Sequence, residues 1–459
     1  METTYKVRIW KIEQYKGKRG TTYTVRWIVD GHRMRSPHPS FGLADAFRSD
    51  LVKALRLGEP FDLATGLPVS MLKKAAHTTW YDFAVQYADA KWPRASANHR
   101  KNVAKVLTTV TIALFRSDPN GFDAVEVRTA LREWAFNREQ RRNAPPNVTT
   151  ILKWVQRNSA QMSVWQSTAT VRAVLNAIST KLDGKPVAAS SVRRSRTILR
   201  NALEYAVELG VLETNPLSGI KLPTVKTARA IDKRCVLNPT QARTLLDTVK
   251  SRPRGGVRLH AFFAVLYYAG LRPEEAVALR VADITLPDQG WGEILVHKAS
   301  PEVGKQWTDT GKAHDERHLK GRAEGETRPV PAHPALVRIL RDYIANPNPT
   351  GAARPLKTAD LLFSGERGGE LAGVVFRRAW EKARDKALTR EQVASPLGKR
   401  VYDLRHTCLT TWLNSGVPAA QVAAWAGNSV PVLLSIYVNC ISGNGDDLKK
   451  RIQDALPDE

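Results

Sequence analysis

The sequence predicts a multi-domain α+β chain. A small three-stranded sheet with one helix comes first, then an all-helical block, then a mixed, mainly helical block holding a small antiparallel sheet. Three observations carry this. The chain has 459 residues, more than one hydrophobic core usually organises, and a length prior suggests about three domains. Apolar residues make up 42% of it, enough to fill such cores. The apolar spacing also changes along the chain, from alternation, to i, i+3, i+4 repeats, to a mixture of the two.

The alternation lies in Tyr23, Val25, Trp27 and Val29, set between Thr24, Arg26 and Ile28, with Asp30-Gly31 as a hairpin turn before His32-Arg33-Met34-Arg35. Residues 44–57 read as a helix stopped by Gly58. Through residue 60 there are 12 Lys/Arg against 6 Asp/Glu. Arg26, Arg33 and Arg35 are therefore candidate contacts to an anionic partner, with a solvated sheet face as the alternative. Residues 62–68 read as a linker, closing a first domain at 1–65. The second domain, 75–223, has helical spacing around residues 80–91, 97–114, 125–137, 163–182 and 191–209. In the last of these Arg193, Arg196 and Arg200 share a face that suits a helix lying along phosphates, again against a solvated alternative. Pro216, Pro223 and the polar residues 224–233 form a second linker. The third domain, 235–459, opens with Asn238 as a cap and Pro239 in the first helical position, and carries short strands near 284–286, 293–297 and 328–330.

Charge is the strongest bulk signal. Lys+Arg number 70 and Asp+Glu 44, a formal charge of +26 and a pI near 10.1. Such an excess implies a polyanionic partner, nucleic acid or an anionic membrane. No apolar run of about 20 residues is present and the start, METTYKVRIWKIEQ, lacks a signal-peptide core, so nucleic acid is expected and a membrane is not. Cys235, Cys408 and Cys440 are odd in number and far apart, which fits a reducing cytoplasm better than a disulfide framework or a Cys-based zinc site. There is no P-loop and no GxGxxG. His314 and His318 imitate a zincin spacing, but the glutamate between them is misplaced and the surroundings read as loop. No cofactor and no metal is expected.

Three stretches concentrate chemistry. In YYAGLRPEEAVALR (267–280) an apolar helix bearing Phe262, Phe263 and Leu266 stops at Gly270, and Pro273 opens the next helix with Glu274 and Glu275 in its first turn. Arg272 is thereby held in an elbow between two helices. In VYDLRHTCLTTWLNSG (401–416) Asp403 is placed to cap a helix whose inner face is Leu409, Trp412 and Leu413. Arg405 then falls in the first turn with Tyr402 just outside, and a helix N-terminus plus a guanidinium makes a good anion site. In WAGNSVPVLLSIYVNC (425–440) a lone tyrosine, Tyr437, stands ten residues beyond Gly427.

In order and spacing these stretches resemble the tyrosine recombinase family, the lambda-integrase-like phage integrases. AGLRPEEAVAL is similar to the family's first arginine box, and YDLRHT with AGNSVPVLLSIY to its second. The resemblance implies an arm-type DNA-binding domain, a helical SAM-like core-binding domain and a catalytic domain with a C-terminal tail helix (Leu448, Ile452, Leu456). It implies double-stranded attachment sites of core and arm types as partners, a homotetramer on DNA in a bacterial cytoplasm, and a host DNA-bending protein and an excision factor as further partners. Tyr437 would be the nucleophile, Arg272 and Arg405 would bind the scissile phosphate, and Glu275 would support the first arginine. Lys320, eight residues before Arg328, would be the general acid, with Lys305 and Lys312 as alternatives in the same insert. Two positions depart from the pattern: Tyr402 and Asn428 stand where most members carry histidine, or histidine or tryptophan. Both hydrogen-bond, but neither is an imidazole base, so the group that deprotonates Tyr437 is left open. The implied function is site-specific recombination that integrates a phage or mobile element through a 3′-phosphotyrosyl intermediate. A type IB topoisomerase-like enzyme and a DNA-binding relic are the alternatives.

Overall fold

The computed structural model describes residues 2–17, 20–38, 40–71, 78–119, 121–220, 230–319, 325–347, 354–366, 368–438, 440, 449–450 and 453–454. They fall into two compact units, Met1–Thr227 and Ala228–Glu459. The tail residues Leu448, Ile452 and Leu456 lie outside the described residues.

The first unit opens with a sheet built on one long strand, Gly20–Val29. Its even residues face one way and its odd residues the other. Val25, Trp27 and Val29 are buried with Ala44, Leu51 and Ala54 of the helix Phe41–Arg56 and with Phe61. Strand His32–His38 pairs along one edge, with Arg26 opposite Arg35 and Ile28 opposite Arg33. Between them Asp30 and Gly31 take positive φ angles of 47° and 85°, as a tight two-residue hairpin requires. The other edge is shared by Val7–Ile9 and Glu13–Gly17, so among the described residues the sheet has four strands rather than three. The edge strand is interrupted between residues 9 and 13, where Trp10 N–H still donates to Arg26 O. Residues 62–68 are not a plain linker. The Asp62 carboxylate accepts from Thr65 N and Thr65 Oγ1, folding the chain back so that Gly66 O accepts from Trp27 Nε1 at 2.6 Å.

The rest of this unit is helical: Trp80–Lys91, Ala97–Ala113, Ala124–Thr129, Pro146–Asn158, Thr168–Ala177 and Ala189–Glu208 are its longer segments. Side chains of Thr79, Asp123 and Ser167 cap three of them. Sequence spacing placed no helix at Pro146–Asn158, where the run Val148-Thr149-Thr150-Ile151 lowers helix propensity. Burial of Val148, Ile151 and Val155 on one stripe outweighs it.

In the second unit the helix Gly256–Tyr268 runs through the core, with successive residues from Leu259 to Leu266 all buried. Around it pack Pro239–Lys250, Pro334–Ala345 and Gly373–Ala387, and an antiparallel sheet in the order Arg328–Ala332, Gly292–Val296, Ile284–Thr285. Phe262 meets Phe376 at a centroid distance of 5.0 Å, and Phe263 meets Trp380 at 5.0 Å. A second cluster of Leu409, Val422, Ala423, Ala426, Leu433 and Tyr437 joins the helices Asp403–Asn414, Ala419–Ala426 and Val430–Tyr437. No single helix among the described residues is long and apolar enough to cross a membrane. Because Phe262 is fully buried among aromatic neighbours, Phe262→Ala leaves a cavity and should lower the stability of this unit by about 3–5 kcal/mol, read from the shift of its denaturant midpoint.

Candidate active site

The site begins with a local device. Gly270, at φ 62°, ends the core helix, and Arg272 occupies the N-cap of Pro273–Ala278. Three residues on, Glu275 turns back: its Oε2 accepts from Arg272 N at 2.9 Å and its Oε1 from Arg272 Nη1 at 2.7 Å. The same carboxylate is gripped from the sheet. Arg328, at the start of Arg328–Ala332, donates from Nη1 to Oε1 at 3.0 Å and from Nη2 to Oε2 at 2.7 Å, a two-pronged ion pair. A third guanidinium, Arg405, comes within 4.0 Å of Oε2. Burial alone would raise the Glu275 pKa, but the hydrogen bonds and charge of Arg328, with Arg272 and Arg405 behind them, bring it down to about 2.

Arg405 is itself fully buried and ties two segments together. Its Nη1 donates to Gly270 O at 2.5 Å, at the elbow, and its Nη2 to Ala426 O at 2.6 Å, at the end of Ala419–Ala426. Burial, then the neighbouring charge of Arg272, lower its pKa from the usual arginine value. Arg272 spends its Nη2 on Gly427 O at 3.0 Å and on Asn428 Oδ1 at 2.8 Å. Gly427 has φ 62°, and a Cβ there would run into Arg328 Nη1. Glycine is thus required both by the backbone conformation and by the packing of the arginines.

Tyr437 ends Val430–Tyr437 with its side chain almost wholly buried, and its Oη lies 2.9 Å from His406 Nδ1. Tyr402 packs edge-on against the same imidazole at 5.0 Å, and the imidazole meets the Tyr437 ring at 5.6 Å. Burial pushes the Tyr437 phenol well above its ordinary value, although Arg405 opposes this. Burial, with the charges of Arg400 and Arg405, pushes His406 down to about 4.

The structure therefore brings Arg272, Glu275, Tyr402, Arg405, Asn428 and Tyr437 into one region. Lys320 lies outside the described residues, and Lys305 and Lys312 are exposed. Arg26, Arg33 and Arg35 are exposed together on the sheet face opposite Val25, Trp27 and Val29. Arg193 and Arg200 are exposed and Arg196 half-buried along one side of Ala189–Glu208. Asp403 is not the cap expected of it. It is the first helical residue, and its buried carboxylate reaches back to accept from Arg400 N at 2.8 Å and from the Arg400 guanidinium. Sequence reading missed two residues. Arg328 shares its strand face with Val330 and Ala332, and a charge in that apolar register is the signal of a buried partner. His406 is four residues from Tyr402 on one helix and so stacks above it.

Residues 235–440 match the model of the phage integrase family. The tyrosine recombinase XerC of Bradyrhizobium diazoefficiens is 27% identical over 55% of this chain and 67% of that protein. The XerC of Pelotomaculum thermopropionicum is 25% identical over 59% of this chain and 76% of that protein. Among solved structures, the Tn1549 transposon integrase in complex with transposon right end DNA is 17% identical, with a TM-score of 0.49 over 72% of this chain and 99% of that one. Residues 235–440 thus carry a phage integrase family domain, and the chain is similar to tyrosine recombinases. It is a DNA strand cleaving and rejoining enzyme of site-specific recombination.

Glu275→Gln should leave buried Arg328 and Arg405 without their counter-charge and cost about 3–5 kcal/mol in chemical denaturation. The sign of the pH effect follows from the depressed pKa. Stability from Glu275 is present above the unfolded value of about 4.3 and is lost as pH falls toward about 2, so wild type should show this acid limb and Glu275→Gln should lack it.

Proposed function

We propose that this recombinase integrates a phage or other mobile element by cleaving and rejoining attachment-site DNA through a 3′-phosphotyrosyl link at Tyr437. The observation that carries the reading is the convergence of the buried Tyr437 phenol with Arg405, whose charge acts on it, and with Arg272 and Arg405 around one carboxylate.

A phosphodiester resists attack until its charge is neutralised. Two guanidiniums aimed by a rigid scaffold do this, and their planar forks suit non-bridging oxygens better than a point ammonium does. In the proposed role Arg272 and Arg405 hold the phosphate, and Glu275 and Arg328 fix the geometry of those arginines. The Tyr437 oxygen attacks phosphorus, the 5′-oxygen leaves, and Lys320 supplies the leaving proton. The phosphotyrosyl link conserves the bond energy, so the 5′-hydroxyl of a second strand reverses the step and exchanges strands without a nucleotide cofactor. Tyr402 and Asn428 act as hydrogen-bonding positioners of phosphate and arginine.

The remaining assignments follow the charge. Residues 1–65 serve as an arm-type DNA-binding domain through Arg26, Arg33 and Arg35. Residues 75–223 serve as the core-binding domain, with Arg193, Arg196 and Arg200 along phosphates, and residues 235–459 serve as the catalytic domain. Recombination between two duplexes then requires four protomers, with a host DNA-bending protein and an excision factor setting direction.

Tyr437→Phe keeps the ring and deletes the oxygen, so duplex binding should persist while the covalent adduct, read as a protein–DNA band resistant to denaturation, disappears. An adduct mapped to another tyrosine would overturn the assignment. Arg272→Lys should slow adduct formation at least ~10²-fold, and near-normal turnover would mean the phosphate sits elsewhere. Deleting residues 1–65 should abolish binding to one class of site and leave core-site cleavage intact. Loss of all core binding would refute the division of roles. Log-log salt titrations should separate the two binding modes, with a slope of about −0.9 for each phosphate contact.

A further inference from the structure

We propose that His406 is the group that receives the phenolic proton of Tyr437, and that the pair is held inactive until a phosphodiester enters the site. This rests on the recombinase reading above and supplies the base that Tyr402 and Asn428 do not.

The geometry is direct. His406 Nδ1 lies 2.9 Å from Tyr437 Oη, within hydrogen-bond reach of the atom that must lose its proton, and both side chains are buried. Edge-on contacts with the Tyr402 ring at 5.0 Å and the Tyr437 ring at 5.6 Å pack the imidazole against both. The position normally filled by a histidine before the second arginine is occupied here by Tyr402, and the imidazole lies instead one turn further along the helix.

The charges explain why the pair rests. The ionisable groups acting on it are Arg400, Tyr402, Arg405 and Cys408, from the helix Asp403–Asn414 and the turn before it, and Cys235 from the segment ahead of the catalytic helices. Of the groups that act on His406, the two charged ones, Arg400 and Arg405, are both positive. They and burial keep the imidazole neutral, and burial keeps the phenol protonated, so proton transfer is uphill in the free protein. A phosphodiester bound on Arg405 brings a negative charge to the same place. It offsets Arg405, makes the imidazolium easier to form, and presents phosphorus to the phenol.

The step balances. The Tyr437 O–H bond breaks and its proton goes to Nδ1, the Oη–P bond forms, and the P–O5′ bond breaks with the 5′-oxygen taking a proton from the lysine general acid. On rejoining, an incoming 5′-hydroxyl gives its proton to that lysine, and the imidazolium returns its proton to the departing phenolate.

A cleavable probe is obtained by letting the full-length wild-type chain capture nicked duplexes from a random-sequence pool as covalent adducts. The same duplex is then made with a 5′-bridging sulfur, a leaving group that needs no acid. His406→Asn leaves an amide oxygen near the Nδ1 position, able to accept the hydrogen bond but not the proton, and His406→Gln is a second variant should the first not bind DNA. The expected result is duplex binding within ~3-fold of wild type with adduct formation ~10²-fold slower on both the oxygen and the sulfur duplex. The fall in wild-type rate on acidification should also be missing from the residual rate of the variant. An adduct rate within ~3-fold of wild type would reduce His406 to packing, and recovery on the sulfur duplex alone would move it to the leaving group. Either overturns the proposal while leaving the recombinase reading in place. If the wild-type chain captures no more than Tyr437→Phe, the recombinase reading fails and this proposal falls with it.

Discussion

One buried carboxylate organises the second unit. Glu275 lies at the centre of Arg272, Arg328 and Arg405, and these come from an elbow, a strand and a helix that are far apart in the chain. Three guanidiniums in an apolar interior would repel one another and lose hydration, so the arrangement exists only because an anion sits among them. The carboxylate cannot neutralise all three. Net positive charge remains, and it is this excess that suits the site to a phosphodiester.

The backbone carbonyls complete the arrangement. Gly270 O and Ala426 O are satisfied by Arg405, and Gly427 O by Arg272, so the ends of two helices are capped by the side chains of the proposed anion site. Folding and the proposed phosphate binding therefore share the same groups. In the proposed role, an arginine lost here removes a transition-state contact and also leaves a buried carbonyl unpaired. The absence of a side chain at Gly427 belongs to the same economy of space, since the two arginines of the first box and the strand meet over it.

The proposed nucleophile is set apart from this charge by burial. Tyr437 closes a small apolar cluster with Leu409, Val422 and Leu433, and among the described residues its hydroxyl is held by His406. A phenol kept protonated in an apolar cluster is a poor nucleophile, and only a change in local charge alters that. In the first unit the basic residues are arranged differently. Arg26, Arg33 and Arg35 project from the solvent face of a sheet whose other face is its core, so alternation alone is enough to expose them together.

The sequence by itself determined the features that depend on short range. Alternation predicted the strand through Val25, Trp27 and Val29, Asp30-Gly31 predicted its turn, and Gly270 with Pro273 predicted the elbow. The bond between Arg272 and Glu275 spans three residues and follows from the first turn of a helix. Local reasoning also misplaced some details. It assigned Asp403 to the cap, whereas the carboxylate is drawn back to Arg400, and it treated residues 62–68 as a linker, whereas Asp62 folds them under the sheet. Only the tertiary structure decided that Arg328, 53 residues from Glu275, grips both its carboxylate oxygens, and that His406, 31 residues from Tyr437, holds its hydroxyl. Periodicity reports which face of an element is buried, but not which element covers it. Pairing of charges inside a core depends on that second choice, and the choice is made by packing.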